Sequence, residues 1–168
     1  MHTPWGESHN KVKIITGVNF YSTARHKSYK VFKRLNNLIP ENLRNENCWY
    51  EEDVEFCIPY IFIPELKQDL KTYNAAIYSF KNFYPDDYEK VFNTKLIIGE
   101  SYKRDQETFY KRNVNNWVGI SAIKVSDDKV KVVASIGGKR GNDIPKKEFF
   151  VDADEYKNRS QFGYVITN

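Results

Sequence analysis

The feature that most constrains this chain is a short stretch in which four acidic residues lead directly into an apolar segment. The stretch spans residues 49–58, and its acids are Glu51, Glu52, Asp53 and Glu55. Apolar residues between positions 54 and 61 recur at i, i+3, i+4 and i+7, which is the spacing of one helix face. Acids in a first helical turn oppose the partial positive charge of its exposed N–H groups. The pattern therefore predicts a helix that starts with acids and enters a core, with a kink or early stop at Pro59.

Two interpretations of these acids remain open from the sequence. In the first, they stabilise the start of a helix and have no other role. In the second, they form a carboxylate cluster that is presented to a substrate or a metal ion. The sequence does not indicate a particular reaction for either interpretation.

Length and composition predict one globular domain. A chain of 168 residues with 12 Tyr, 11 Phe and 3 Trp can bury a core although 29% of its residues are charged.

No apolar run reaches the ~18–20 residues that span a bilayer, and no signal-peptide pattern opens the chain. The two cysteines, Cys48 and Cys57, lack the spacing of metal ligands. We therefore expect a cytoplasmic protein with reduced thiols, no membrane partner and no cofactor. Nothing in the sequence indicates an oligomeric state.

Charge is unevenly distributed along the chain. The net charge is +5 over residues 1–48, −5 over residues 49–93 and +4 over residues 94–168. The positive flanks can form a basic face for nucleic acid, or the three segments can pack together with complementary charge. The overall charge of +4 is modest for a dedicated nucleic-acid-binding protein, which favours complementary packing.

Periodicity along the chain predicts a single α+β domain over residues 1–168, with an N-terminal β-hairpin, central helices and C-terminal antiparallel strands. The predicted hairpin joins 11–15 to 18–23, and the predicted helices are 28–37, 64–84, 85–93 and 100–113. The predicted C-terminal strands are 117–123, 129–136, 148–151 and 163–166, with a helical turn at 153–158. Because these regions are expected to fold together, truncation at Asn93 should leave an aggregating fragment.

Three short motifs carry a resemblance to a known family. They are Thr3-Pro4-Trp5-Gly6, Ser22-Thr23-Ala24-Arg25-His26 and Tyr50-Glu51-Glu52-Asp53, and residues 116–118, 134–138 and 149–166 are similar as well. Together they resemble an uncharacterised domain family whose members occur in bacteriophages and conjugative plasmids. In that family two glycines usually follow the histidine, whereas Lys27 and Ser28 follow it here. The resemblance implies an accessory protein of a mobile element that works in a bacterial cytoplasm, and it brings no established activity.

The strongest catalytic candidates are His26 with Glu51, Glu52 and Asp53. A histidine with carboxylates can form a metal site, or a general base with an orienting partner. The chain has no His-Glu-x-x-His element and no Cys-x-x-Cys pair, so we expect no metal. A contact that merely ties the hairpin to the next element is the simpler interpretation.

The motif residues expected to come together as an interaction site are Trp5, Gly6, His26, Tyr50, Glu51 and Asp53. If His26 is a buried structural tie, its replacement by alanine should cost about 1–3 kcal/mol, because a buried partner is left unpaired.

Candidates for nucleic-acid contact lie in the last third of the chain. Lys139 and Arg140 follow two glycines in a flexible loop that lacks the residue order of a P-loop. The helix predicted over 100–113 carries four further basic candidates, interleaved with aromatic residues; they are Lys103, Arg104, Lys111 and Arg112. Its aromatics Tyr102, Phe109 and Tyr110 can form a stacking surface for bases, or can pack as one face of an amphipathic helix. We expect at most weak, nonspecific binding that is lost at physiological salt.

Three functional hypotheses follow. The first is a non-enzymatic protein of a phage or plasmid that binds a host protein, such as a restriction or CRISPR nuclease complex, and blocks host defence. The second is a nucleic-acid-binding accessory factor that uses the basic flanks. The third is a small enzyme that uses His26 and the acidic helix start.

Overall fold

The structure, a computed structural model, describes residues 1–167, and these divide into two units. The first is Met1–Ser101 and the second begins at Tyr102. The main hydrophobic cluster of the first unit lies within residues 14–92, and that of the second lies within residues 130–166. The prediction that residues 1–168 form a single domain stays a prediction.

The first unit begins with two antiparallel sheets. A two-stranded hairpin precedes a four-stranded sheet in which each strand pairs with the next along the chain. The hairpin strands are β1 (His2–Thr3) and β2 (Gly6–Glu7), and the sheet strands are β3 (Asn10–Ile15), β4 (Val18–Ser22), β5 (Lys27–Val31) and β6 (Trp49–Glu51). The predicted N-terminal hairpin is confirmed in β3 and β4, which pair around Gly17.

Helices follow the sheet and share its core. They are α1 (Lys33–Asn36), α2 (Cys57–Phe62), α3 (Leu70–Phe83) and α4 (Pro85–Phe92), with 3-10 helices at Glu41–Leu43 and Pro64–Gln68. Val31 from the sheet, Ile61 from α2 and Phe80 from α3 are buried in one cluster. Aromatic residues contribute to this cluster, among them the buried Tyr29, Tyr60 and Phe80.

The predicted acidic helix start is wrong. Trp49, Tyr50 and Glu51 form β6, which pairs with β5, and the following acids lie in turns. Helix α2 begins only at Cys57 and has no acid in its first turn. Aromatic residues suit a strand that is buried on one face, so pairing with β5 outweighs the local helical pattern. Pro59 lies in the first turn of α2, where its missing N–H would have no partner within the helix, and it causes no early stop.

Two other helix predictions need correction. The segment expected to form a helix from Ser28 forms β5 instead, because β4 and β6 pair with it on both sides. Only Lys33–Asn36 is helical there. The helix predicted over 64–84 is divided at Asp69, whose carboxylate accepts a hydrogen bond from the N–H of Thr72 and thereby caps α3.

The second unit combines one three-stranded antiparallel sheet with two helices. Its helices are α5 (Tyr102–Arg112) and α6 (Ala153–Lys157), and its strands are β7 (Trp117–Lys124), β8 (Lys129–Ile136) and β9 (Lys146–Asp152), in the order β7-β8-β9. The hairpin of β7 and β8 and the helical turn after Asp152 are confirmed. The strand predicted over 163–166 is reduced to isolated bridges, one of which joins Val165 to Val118.

The fold class is α+β, with an N-terminal hairpin, central helices and C-terminal antiparallel strands, as predicted. Within residues 1–167, none of the helices combines the length and the apolar character needed to cross a membrane.

Candidate functional site

The first motif, Thr3–Gly6, is a tight turn that presents Trp5. The Thr3 hydroxyl donates to the Gly6 carbonyl at 2.8 Å and accepts from the Trp5 N–H at 3.2 Å. Gly6 has a φ of +109°, a conformation that a side chain disfavours, and this lets the chain turn back into β2. The motif therefore encodes the geometry that holds the Trp5 ring half-buried at the surface.

The second motif forms the loop between β4 and β5. The Thr23 hydroxyl accepts from the His26 N–H at 3.0 Å and donates to the His26 carbonyl at 3.0 Å. The Thr23 N–H also donates to the same carbonyl at 2.8 Å. The loop is thus fixed by Thr23, and Lys27 and Ser28 continue as the first residues of β5.

The third motif is positioned by a buried polar network beneath β6. The Tyr50 hydroxyl donates to Asn36 Oδ1 at 2.6 Å and accepts from the Asn45 N–H at 3.1 Å. Glu55 Oε2 accepts from Asn45 Nδ2 at 3.0 Å and from the Glu51 N–H at 3.1 Å. Burial raises the pKa of Tyr50 to about 12, so its hydroxyl remains a donor at neutral pH. The network fixes the end of β6, from which Glu51 projects.

The three motifs meet through direct contacts of Trp5, His26 and Glu51. The Trp5 and His26 rings stack with centroids 6.0 Å apart and planes inclined by 26°. Trp49 packs edge-on against Trp5 at 6.2 Å. His26 Nδ1 lies 3.1 Å from Glu51 Oε1, and because a carboxylate only accepts, Nδ1 carries the proton of this bond. We call Trp5, Arg25, His26 and Glu51 the Trp5 surface.

Clefts open on this surface. One of about 400 Å³ is lined by residues of both loops, including Trp5, Arg25 and His26. A second, of about 480 Å³, includes Trp5, Trp49 and Glu51 in its lining. A third, of about 240 Å³, brings Arg25 and His26 together with the three acids of the Tyr50–Asp53 motif. A partner can therefore approach the stacked rings from more than one direction.

The charged pairs of this surface are exposed to solvent. The side chains of His26 and Glu51 are 45% and 36% exposed, and Lys27 and Glu52 form a longer pair at 3.9 Å. Exposed ion pairs contribute roughly 0–1 kcal/mol. The loss of 1–3 kcal/mol predicted for a buried tie at His26 is therefore too large for the observed geometry. Asp53 is exposed and lines the third cleft.

The geometry at His26 is compatible with an acid–base role and with a binding role. With Nδ1 protonated, a neutral His26 ring leaves Nε2 as an acceptor, which is the arrangement of a general base with an orienting carboxylate. The hydroxyl of Thr23, in the same loop, is hydrogen-bonded to the backbone N–H and carbonyl of His26. Among residues 1–167, no three His, Cys, Asp or Glu side chains are placed to hold a metal ion.

The basic candidates lie in the other unit. Lys103, Lys111, Arg112, Lys139 and Arg140 are exposed, and Arg104 is half-buried on α5. The aromatics of α5 contact other side chains of this unit, since the Tyr102 and Phe109 ring centroids lie 5.2 and 5.8 Å from that of Phe162. The Tyr110 hydroxyl donates to the Phe162 carbonyl at 3.0 Å. Amphipathic packing therefore accounts for these rings better than a stacking surface does.

The sequence reasoning missed the residues that support the site. Asn36, Asn45 and Glu55 form the network under β6, and Thr23 fixes the His26 loop. A signal for the network was present, because five asparagines occur between positions 36 and 47. Asparagine clusters mark irregular backbone that side-chain amides stabilise.

Comparison with known proteins identifies the family of this chain. No curated protein and no solved structure matches it. A family model described as "Domain of unknown function (DUF7007)" matches residues 1–114, which include all three motifs of the Trp5 surface. That match covers more than half of the 168 residues, so the chain belongs to the DUF7007 family.

Proposed function

We propose that this chain is a non-enzymatic accessory protein of a phage or plasmid that binds a host defence protein through the Trp5 surface. The observation that carries the proposal is the Trp5 ring, which is half-buried, stacked on His26 and backed by Trp49 beside open clefts. It acts in the cytoplasm of a bacterial host, and its partner is a protein such as a restriction or CRISPR effector.

Binding through the Trp5 surface requires little additional ordering of side chains. Tryptophan and arginine dominate the energetics of protein interfaces. Trp5 is already held by its turn and by Trp49, so little rotamer entropy is lost when a partner covers it. Arg25 is exposed beside it and can pair with a carboxylate on the partner.

The class of partner rests on the motif resemblance to mobile-element proteins. The charge of the first unit also bears on how a partner would be blocked. Residues 1–101 have 13 basic and 13 acidic side chains and hence no net charge. A neutral unit does not imitate the dense negative charge of DNA. We therefore expect direct occlusion of a host protein rather than acidic DNA mimicry.

A second candidate function is a small enzyme with His26 as general base and Glu51 as its orienting partner. The specific observation that favours it is the bond from Nδ1 to Oε1, which leaves Nε2 on the other side of the ring. The two candidates differ in what a Glu51→Gln variant does. An enzyme would retain binding and lose turnover, whereas an inhibitor would lose protection only in proportion to lost affinity.

The test combines protection with capture. The wild-type chain is expressed in bacterial strains that carry a restriction or a CRISPR system, and transformation by a targeted plasmid is measured. The same protein serves as bait for host lysate, beside Trp5→Ala and the matched control Tyr78→Ala, whose ring is 68% exposed on α3. We expect protection and one captured host protein with wild type and Tyr78→Ala, and neither with a folded Trp5→Ala.

The proposal fails if no strain is protected and no host protein is retained by the wild-type bait. Protection that survives in a folded Trp5→Ala variant would show that the surface has been misassigned. Loss of protection in Glu51→Gln with capture intact would favour the enzyme.

A further inference from the structure

The whole net charge of the protein resides in the second unit. From Tyr102 onward the chain has 13 basic and 9 acidic residues, which give the +4 that the N-terminal unit lacks. Part of this charge is paired within the unit, for example Lys131 with Glu148 and Lys157 with Asp154. The remaining basic side chains give the unit its net positive charge.

Two arginines line one pocket in this unit. The pocket has a volume of about 210 Å³, and its polar lining includes Arg140, Arg159, Ser160, Gln161 and Ser121. Its lining, which lies within residues 119–164, contains no carboxylate. Within the described part of the chain, neither guanidinium has a carboxylate within 4.0 Å. The pocket thus offers hydrogen-bond donors and uncompensated positive charge.

Arg159 is held in place on an aromatic ring. Its guanidinium lies 4.6 Å from the centroid of the Tyr156 ring, and Nη1 donates to the Tyr156 carbonyl at 3.3 Å. Tyr156 in turn packs against Tyr164, with ring centroids 5.4 Å apart. A planar guanidinium fixed on one face keeps its remaining N–H groups in the fork geometry that matches two phosphate oxygens.

Arg140 follows a glycine turn that has a defined backbone geometry. Gly137 and Gly138 both have a φ near +66°, and the Ser135 hydroxyl donates to the Lys139 carbonyl at 2.6 Å. A Cβ on Gly138 would lie 3.0 Å from the Tyr110 ring, and its φ of +67° is one that other residues rarely adopt, so both features favour glycine here. The backbone that delivers Arg140 to the pocket is therefore set before any ligand arrives.

Other lining residues of the pocket are held by contacts within the unit. Phe162 is packed by Tyr102 and Phe109 of α5, and its N–H donates to the Ser160 hydroxyl oxygen at 3.2 Å. That bond leaves the Ser160 O–H to donate to an anion. Burial, followed by the neighbouring Glu155 carboxylate, raises the pKa of Tyr164 to about 12. At neutral pH the tyrosine is uncharged and does not repel an anion.

We propose that the pocket of Arg140, Arg159 and Ser160 binds a backbone phosphate of nucleic acid, independently of sequence. Two exposed guanidiniums gain little from a single phosphate in water, because solvent screens the attraction. A nucleic-acid strand differs, since each neutralised phosphate releases condensed counterions. One phosphate of the strand then occupies the pocket, and the neighbouring phosphates contact other exposed basic side chains of the second unit.

The experiment measures binding of the full chain to a short fluorescein-labelled DNA duplex by fluorescence anisotropy, from about 50 to 200 mM salt. The test variant is Arg140→Gln with Arg159→Gln. The matched control is Lys33→Gln with Arg34→Gln, which removes the same charge from exposed positions on α1 of the first unit. We expect the test variant to lose roughly tenfold in affinity per lost phosphate contact at about 50 mM salt, and its log–log salt slope to fall by about one. The control should stay within about threefold of wild type.

Equal losses in the two double variants would overturn the proposal, because diffuse charge would then explain the binding. Wild-type chain that binds no duplex at about 50 mM salt would overturn it as well. The proposal would also be overturned if the chain bound anionic phospholipid vesicles but did not bind DNA. The pocket lies outside the Trp5 surface, so none of these results depends on whether a host protein is bound there.

Discussion

At the scale of single residues, the Tyr50 hydroxyl makes two hydrogen bonds that hold β6 to α1 and to the preceding loop. It is buried and joins Asn36 to the Asn45 backbone. Tyr50→Phe leaves Asn36 Oδ1 and the Asn45 N–H without this partner, and we expect unfolding free energy to fall by about 1–3 kcal/mol. Urea denaturation measures the loss. Tyr78→Phe, which removes an exposed hydroxyl, is the control and should change stability by less than about 0.5 kcal/mol.

His26 should behave differently from Tyr50. Its bond to Glu51 is exposed, so His26→Ala should lower unfolding free energy by no more than about 1 kcal/mol. The same denaturation experiment checks this. A loss of several kcal/mol would show that the contact is a structural tie and would weaken its assignment to a binding surface.

At the scale of elements, the sequence predicts the strands and helices that are set by local pattern. The β3–β4 hairpin, α4 and the β7–β8 hairpin have clear periodicity or turn residues, and each is present. β5 and β6 were missed because their pairing joins Tyr29 to Tyr50 across 21 positions of sequence. Such pairing depends on tertiary contacts that local propensity does not report.

The candidate site was predicted in part. The proximity of Trp5, His26 and Glu51 followed from motifs, since these residues fall outside the regular apolar pattern. Their support by Thr23 and Asn45 could not be deduced, because it depends on loop backbone geometry. Arg159 was missed for a similar reason: its pocket forms where an irregular segment meets β7.

The N-cap of α3 predicts that the thermal stability of the protein depends on pH. The Thr72 hydroxyl, followed by the Thr72 N–H, lowers the pKa of the Asp69 carboxyl below its usual value. A group with a lowered folded pKa stabilises the fold above its unfolded pKa of about 3.9, and this contribution is lost as pH falls through the folded pKa. Asp69→Asn should therefore lower Tm at pH 7, and the Tm difference from wild type should shrink in acid. A difference that is constant from pH 7 to pH 3 would contradict the assignment.

At the scale of the whole molecule, the two separate hydrophobic clusters make a truncation experiment informative. Ending the chain at Ser101 retains every residue of the first cluster, as well as Lys95 and Leu96, which donate to the buried Glu89 carboxylate. We expect fragment 1–101 to melt cooperatively. A fragment ending at Asn93 loses both donors and should be less stable or aggregate.

Circular dichroism melts of the two fragments and the full chain decide this question. An aggregating 1–101 fragment would instead support the predicted single domain over residues 1–168. A folded 1–101 fragment would further allow the Trp5 surface to be studied without the basic second unit.

The central claim is that the Trp5 surface binds a host protein, and one calorimetric comparison tests it most directly. The host protein captured by the wild-type chain is titrated with wild type, Arg25→Glu and the matched control Arg34→Glu. Both arginines are exposed in the same unit, but only Arg25 lines the clefts beside Trp5. We expect Arg25→Glu to weaken binding at least about tenfold, or 1.4 kcal/mol, and Arg34→Glu to leave it within about threefold. Equal affinities for all three proteins, or an equal loss in both variants, would contradict the claim.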